Sequence, residues 1–233
     1  ALAPAACSQE TSSDAAPADS HETMASADEM DHGEMEHDVM SASEKLDAVL
    51  AAEADDVKAR YPYRHPKETL EFFGVEPGMT VVDTLPGEPG WYGQILVPHL
   101  GPDGVIIGAD YSIDMWSKFS GRYSSEEYLK GKESFVSDYI ASVDAVRGEE
   151  GAEAAAFQLG SLPDSLKGTA DVVLMMRAAH HFNRLEGGKY FTEALADFKD
   201  VLKPGGIVGV VQHRAQEDMP DDWAVGNAGY VKQ

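Results

Sequence analysis

Basic residues are scarce in this 233-residue chain: 18 Lys and Arg stand against 41 Asp and Glu, for a formal charge of -23. A surface so negative repels the phosphates of nucleic acids and anionic membranes, so no nucleic-acid partner is expected. It leaves room for a local basic pocket that takes a small anion. Cysteine is nearly absent, with Cys7 alone, which excludes an intramolecular disulfide. No apolar run approaches the roughly 18 residues needed to span a bilayer. The first 42 residues lack Lys, Arg and every aromatic residue. Such a segment cannot bury enough apolar surface to offset its ordering entropy, and a disordered acidic tail over residues 1–42 is predicted.

Two features of that tail carry chemistry. The opening Ala-Leu-Ala-Pro-Ala-Ala-Cys7 resembles the end of a bacterial lipoprotein signal peptide, although Pro4 stands where an aliphatic residue is usual. The resemblance implies a cell-envelope or periplasmic protein with Cys7 as its lipid tether. The other reading is an ordinary Ala-rich start. Further on, His21, Met24, Met30, His32, Met35, His37 and Met40 combine sulfur and imidazole with carboxylates, a set suited to copper. A solvated linker is the alternative, favoured because nothing fixes a coordination geometry. No metal site is predicted in the remainder.

From residue 43 onward the 43% hydrophobic composition suffices for one core. Ser43 reads as the N-cap of a helix reaching Arg60, with Leu46, Val49, Leu50 and Val57 on one face. A short helix begins at Pro66 and stops at Gly74. Strand-like runs follow at Thr80–Leu85, Val105–Ala109, Ala154–Leu159, Asp171–Met176 and Ile207–Gln212. Helical patterns at Trp91–Leu100, Ile113–Phe119, Ser125–Val146 and Lys189–Leu202 separate them. Most of the strands are continuously apolar, as strands covered on both faces are. The alternation predicts an α/β, Rossmann-like, doubly wound and mainly parallel sheet with helices on both faces, over residues 43–233.

Chemistry gathers at the ends of these strands. Asp83 precedes a Gly/Pro loop, Pro86-Gly87-Glu88-Pro89-Gly90-Trp91-Tyr92, lying between a strand and a helix. Glycines there let the backbone approach a ligand, and a helix N-terminus offers unpaired N–H groups. Asp83 can reach a cationic or hydroxylated part of that ligand. Asp110, 20 residues after Gly90, ends the next strand beside Tyr111, where an acid can accept hydrogen bonds from both ribose hydroxyls. An ordinary turn and a helix N-cap are the structural alternatives for these two features.

The run Asp171-Val-Val-Leu-Met-Met-Arg177-Ala-Ala-His180-His181, then a helix and Leu202-Lys-Pro-Gly-Gly-Ile-Val-Gly-Val-Val, resembles the corresponding segment of class I S-adenosylmethionine-dependent methyltransferases. Asp83, the loop, Asp110 and this turn occur in that family's order. Tyr63-Arg-His-Pro-Lys-Glu-Thr-Leu-Glu-Phe-Phe, with Val211-Gln-His213-Arg214, narrows the likeness to a bacterial group of exported methyltransferases, from about residue 58 to the end. The resemblance implies S-adenosylmethionine as cofactor and a small-molecule acceptor. It implies cofactor contacts at Asp83, Pro86, Gly87, Gly90, Trp91, Tyr92, Asp110, Tyr111, Gly160, Ser161 and Arg177. His180 is the candidate base, with His213 beside it; Arg177 or Arg214 would hold an acidic group of the acceptor.

The sequence also departs from that pattern. The loop is one residue longer than the family's, Glu88 adds negative charge, and Pro89 removes an N–H donor. Two further strands usual in the fold are not apparent after the fifth; their lack would leave a sheet edge exposed, so either the sequence is a C-terminally incomplete piece or something else covers that edge. A catalytically silent, exported Rossmann-like binding protein with a metal-sequestering tail is the alternative function. A nicotinamide-dependent oxidoreductase is a third, disfavoured by the absence of G-x-G-x-x-G. No oligomeric state is predicted.

Overall fold

The computed structural model describes residues 40–232, so the tether expected at Cys7 and the His/Met tail before residue 40 lie outside the described residues. Helix α1 (Ala42–Ala52) is capped by Ser41, whose hydroxyl accepts from the Glu44 N–H while the Glu44 carboxylate accepts from the Ser41 N–H. The cap is therefore Ser41 rather than Ser43, because the reciprocal box needs a Glu three residues on. The single helix expected to Arg60 is two pieces, with a third short helix after them. Glu53 and Ala54 are extended, α2 (Asp55–Lys58) restarts with two acids in its first turn, and α3 (Tyr61–Arg64) carries Pro62 there. Helix α4 (Pro66–Phe72) follows.

Five parallel strands form the sheet: β1 (Thr80–Thr84), β2 (Val105–Asp110), β3 (Glu153–Gln158), β4 (Ala170–Met176) and β5 (Leu202–Val211), in the order β3-β2-β1-β4-β5. The order in which strands are added reverses between β1 and β4, the switch point at which such sheets open a crevice. Helices α5 (Gly90–Leu100) and α8 (Phe135–Arg147) join α1 and α4 on one face, around Leu46, Leu70, Ile95, Leu96 and Tyr139. Helices α6 (Ile113–Ser117), α9 (Ala179–Arg184) and α10 (Lys189–Val201) cover the other, around Tyr111, Phe157, Phe182 and Phe198. Burial on both faces explains the continuous apolar strands. The fold is thus the Rossmann-like, doubly wound sheet expected.

Two boundaries differ. The helix expected over Ser125–Val146 is α7 (Glu126–Lys132) and α8, interrupted at Glu133 and Ser134. The Lys-Pro-Gly-Gly segment lies at the start of β5 instead of before it. The β4–β5 register jumps from Ala170↔Leu202 to Val172↔Ile207, and Lys203 is held there by Asp171 at 2.7 Å. Strand β5 is the sheet edge; among the described residues nothing pairs with its outer side, and Ile207, Val208, Val210 and Val211 are exposed. Among the described residues the short strands β6 (Arg214–Ala215) and β7 (Val231–Lys232) pair only with each other.

Candidate active site

Strand register sets the site. Asp83 pairs with Gly108 across β1 and β2, so Asp110 lies two residues further along on the same face. The two acids project from neighbouring strand tips, both almost fully buried. Their surroundings differ. Burial pushes the Asp83 carboxyl up to about 7, with Arg64 pulling it down, and among the described residues nothing hydrogen-bonds to it. The neighbouring Thr84 hydroxyl is also buried without a partner. Asp110 is raised by burial too, but it accepts from the Tyr111 N–H, and the Lys132 ammonium sits 2.9 Å from Oδ2. Lys132 is itself enclosed by Trp116, Tyr128 and Phe135, at 4.9, 5.6 and 5.7 Å from their ring centres. The break between α7 and α8 places it there, and its carbonyl accepts from the Gln158 amide.

Two clefts with shared walls open over β1 and β4. One, about 240 Å³, is lined by Asp83, Thr84, Leu85, Pro86, Trp91 and Tyr92. The other, about 400 Å³, reaches Tyr63, Val211 and His213. Both are bounded by Arg60, Arg64, Arg177, Tyr92 and Met176. Helix α3 stacks its Arg64 guanidinium 4.4 Å from the Trp91 ring centre, and the Arg64 N–H donates to the Arg60 carbonyl, one helical turn back. Leu85 and Arg177, the residues that follow β1 and β4, adopt left-handed backbone with φ of 59° and 60°. Such conformations cost energy in non-glycine residues and cluster at ligand sites. The Arg177 N–H is anchored on the Val211 carbonyl at 2.6 Å.

The histidines form a group beside these clefts. The ring centres of His180 and His181 are 3.9 Å apart, and those of His180 and His213 are 6.2 Å apart, with Tyr230 close to both His180 and His213. Burial lowers His180 below the usual imidazole range and takes His181 down to about 4, so both are neutral near pH 7. Gln212 engages His180 at Nδ1. His213, not His180, lines the wider cleft.

The expected site residues thus divide. Asp83, Pro86, Trp91, Tyr92 and Arg177 share one cleft wall, and His213 faces the adjoining space. Gly90 opens α5, and its φ of 80° together with that of Gly87 at 85° turns the loop into it. Tyr111 is buried against Trp116, Phe119 and Phe182 and lines a separate cavity of about 290 Å³ with Leu85 and His181. Gly160 and Ser161 are exposed beyond β3, where the Gly160 N–H donates to Asp197, and neither lines these clefts. Arg214 begins β6 and is exposed. Sequence reasoning missed Arg60, Arg64 as a cleft residue, and Lys132; the i, i+4 spacing of the first two was the available signal.

No protein-family profile matches the chain, and no curated protein matches it. It is similar to solved structures. A SAM dependent methyltransferase from Aquifex aeolicus is 18% identical, with 68% of each chain covered and a TM-score of 0.39. The YcgJ protein from Bacillus subtilis is 21% identical, with 67% of this chain and 53% of that one covered, at a TM-score of 0.40. An arsenic(III) S-adenosylmethionine methyltransferase from Chlamydomonas reinhardtii is 18% identical over 70% of this chain and 47% of its own, at 0.37. The chain thus spans about half the length of the last two. At these scores the likenesses carry no argument, and the fold rests on strand order and register.

Proposed function

We propose that this chain is an S-adenosylmethionine-dependent methyltransferase acting on a small-molecule acceptor. The observation that carries the reading is the pairing of Asp83 and Asp110 on one face of adjacent strand tips, at the switch point of a doubly wound sheet. The residues present fit the cofactor. The Thr84 hydroxyl is buried without a partner beside Asp83, a buried carboxyl whose charge is opposed only by Arg64, at a cleft whose size suits part of a nucleoside-containing compound. Asp110 would hold the ribose hydroxyls, with the Gly87–Gly90 turn beside them. Bound there, the cofactor supplies a methyl group activated by a positively charged sulfur.

The chain's own contribution is positioning and proton removal. Tyr92, Met176 and Trp91 wall the cleft and exclude water, which supplies most of the acceleration by fixing the reacting atoms in line. His213, on the wider cleft, is placed to take a proton from an acceptor hydroxyl or amine. His180 stands behind it, neutral and held at Nδ1 by Gln212. An envelope location with Cys7 lipidated belongs to the same proposal and rests on residues 1–7 alone; no helix among the described residues is long and apolar enough to cross a membrane.

Lys132 on Asp110 favours one competing reading, a catalytically silent binding protein whose ribose position is filled by its own side chain. Calorimetric titration decides between them. S-adenosylmethionine and S-adenosylhomocysteine are expected to bind in the micromolar range, and NADH not to bind. Heat from NADH alone points to nicotinamide chemistry, and no heat from any of the three supports the silent reading.

A further inference from the structure

We propose that the Arg60–Arg64–Arg177 cleft is an anion site, and that the methyl acceptor is a small molecule carrying a phosphate or a pair of carboxylates on an apolar body. This deepens the methyltransferase reading and rests on it.

The argument begins with charge. In a chain of net charge -23, three of its seven arginines and none of its eleven lysines line one cleft. Among the described residues none of the three lies within ion-pair distance of an acid, whereas seven of the lysines are paired. The one carboxyl on either cleft, Asp83, lines the narrower one; it is buried and, with its value raised to about 7, only about half ionised at neutral pH, so it offsets no more than a fraction of three positive charges. Burial first, and then the nearby Arg177 and Arg60, hold the Arg64 affinity for protons below the usual guanidinium range. Like charges held together without a full counter-charge raise the energy of the empty cleft, and an anion entering it relieves that repulsion.

The cofactor does not supply the missing charge. Its amino-acid end is a zwitterion and its sulfur is positive, so its net charge has the same sign as the cleft. The negative charge must come from the other reactant. Three guanidiniums demand more than one carboxylate, and planar N–H forks match phosphate or carboxylate oxygens in pairs, which the ammonium of lysine does not. The positions are preset: Arg64 is stacked on Trp91, and Arg177 is fixed by its backbone. The rest of the wider cleft is His213 with Tyr63, Tyr92, Met176 and Val211, a mostly carbon-lined space that suits the body of the acceptor rather than a bare inorganic ion.

The test titrates the full chain with inorganic phosphate, pyrophosphate and succinate at constant ionic strength, with S-adenosylhomocysteine in parallel. The variants are Arg64→Gln, Arg177→Gln, Arg177→Lys and, as control, Arg147→Gln, whose side chain is paired with Asp144 elsewhere. At least one anion is expected to bind; Arg64→Gln and Arg177→Gln should each weaken it at least about tenfold, Arg177→Lys less, and Arg147→Gln not at all. Phosphate against succinate separates the two head groups. Should Arg64→Gln melt out, exposed Arg177 decides alone. S-adenosylhomocysteine binding with no anion binding, or equal anion affinity in Arg177→Gln, overturns the inference and leaves the methyltransferase reading standing. Anion binding that responds to the arginines, without S-adenosylhomocysteine binding, overturns that reading and with it the assignment of the anion as methyl acceptor.

Discussion

Asp83→Asn is expected to raise the melting temperature near pH 8 by about 5–10 °C and to leave it nearly unchanged near pH 4. The cause is the cost of ionising a carboxyl that is 3% exposed and whose folded-state value stands near 7 rather than the usual 3.8. For a group raised in this way, its contribution is fully present below the unfolded value and is lost as pH climbs toward 7. Above that the penalty levels off at roughly 4 kcal/mol, an upper figure because Asn also gives up the attraction of Arg64. Asparagine keeps the shape and has no charge to desolvate. Thermal melts of both proteins from pH 4 to 8 isolate the effect, since all other carboxylates cancel in the difference. A stability gap that is flat across this range, or widest in acid, contradicts the account. The same substitution should weaken S-adenosylhomocysteine, because a buried acid kept at such cost is explained by a cationic ligand group that ionises it.

Lys132→Met is the second large effect. Asp110 is 1% exposed, and Lys132 is its one charged partner among the described residues. Removing one member of a buried pair strands the other, at a cost of about 3 kcal/mol near neutral pH. The loss shrinks in acid as Asp110 takes up a proton, and the double variant Asp110→Asn with Lys132→Met recovers most of it, since no charge is left unpaired. Ligand affinity moves the other way. Lys132 sits 2.9 Å from Asp110 Oδ2, an oxygen that accepts no hydrogen bond among the described residues and that a ribose hydroxyl would use, so its removal should tighten S-adenosylhomocysteine roughly tenfold by removing a competing charge. Weaker binding would place Lys132 within the cofactor site instead. Urea denaturation gives the first quantity and calorimetry the second.

The strands were readable because a two-sided sheet demands uninterrupted apolar runs, and Val81, Val82, Ile106, Ile107, Val172, Val173 and Leu174 meet that demand locally. Asp83 and Asp110 were readable for a related reason: a charged residue ending such a run has only the sheet tip to occupy. Helix boundaries were harder. The breaks at Glu53 and at Glu133–Ser134 involve residues that fit a helix, and tertiary placement overrides that local preference. Lys132 reaches Asp110 only because of the second break. The arginine cleft was illegible for another reason. Arg60 and Arg64 precede β1 while Arg177 follows β4, and only strand order brings them together. The aromatic packing of Tyr111 between α6 and α9 was equally illegible, since Trp116 and Phe182 meet it only in the folded chain.

Calorimetric titration of the wild-type chain and of Asp110→Ala with S-adenosylhomocysteine tests the central claim most directly. The account predicts micromolar binding by the wild type and a loss of roughly 30-fold or more in the variant, the worth of two hydrogen bonds to a buried carboxylate. A folded Asp110→Ala protein that binds as tightly as the wild type would contradict it.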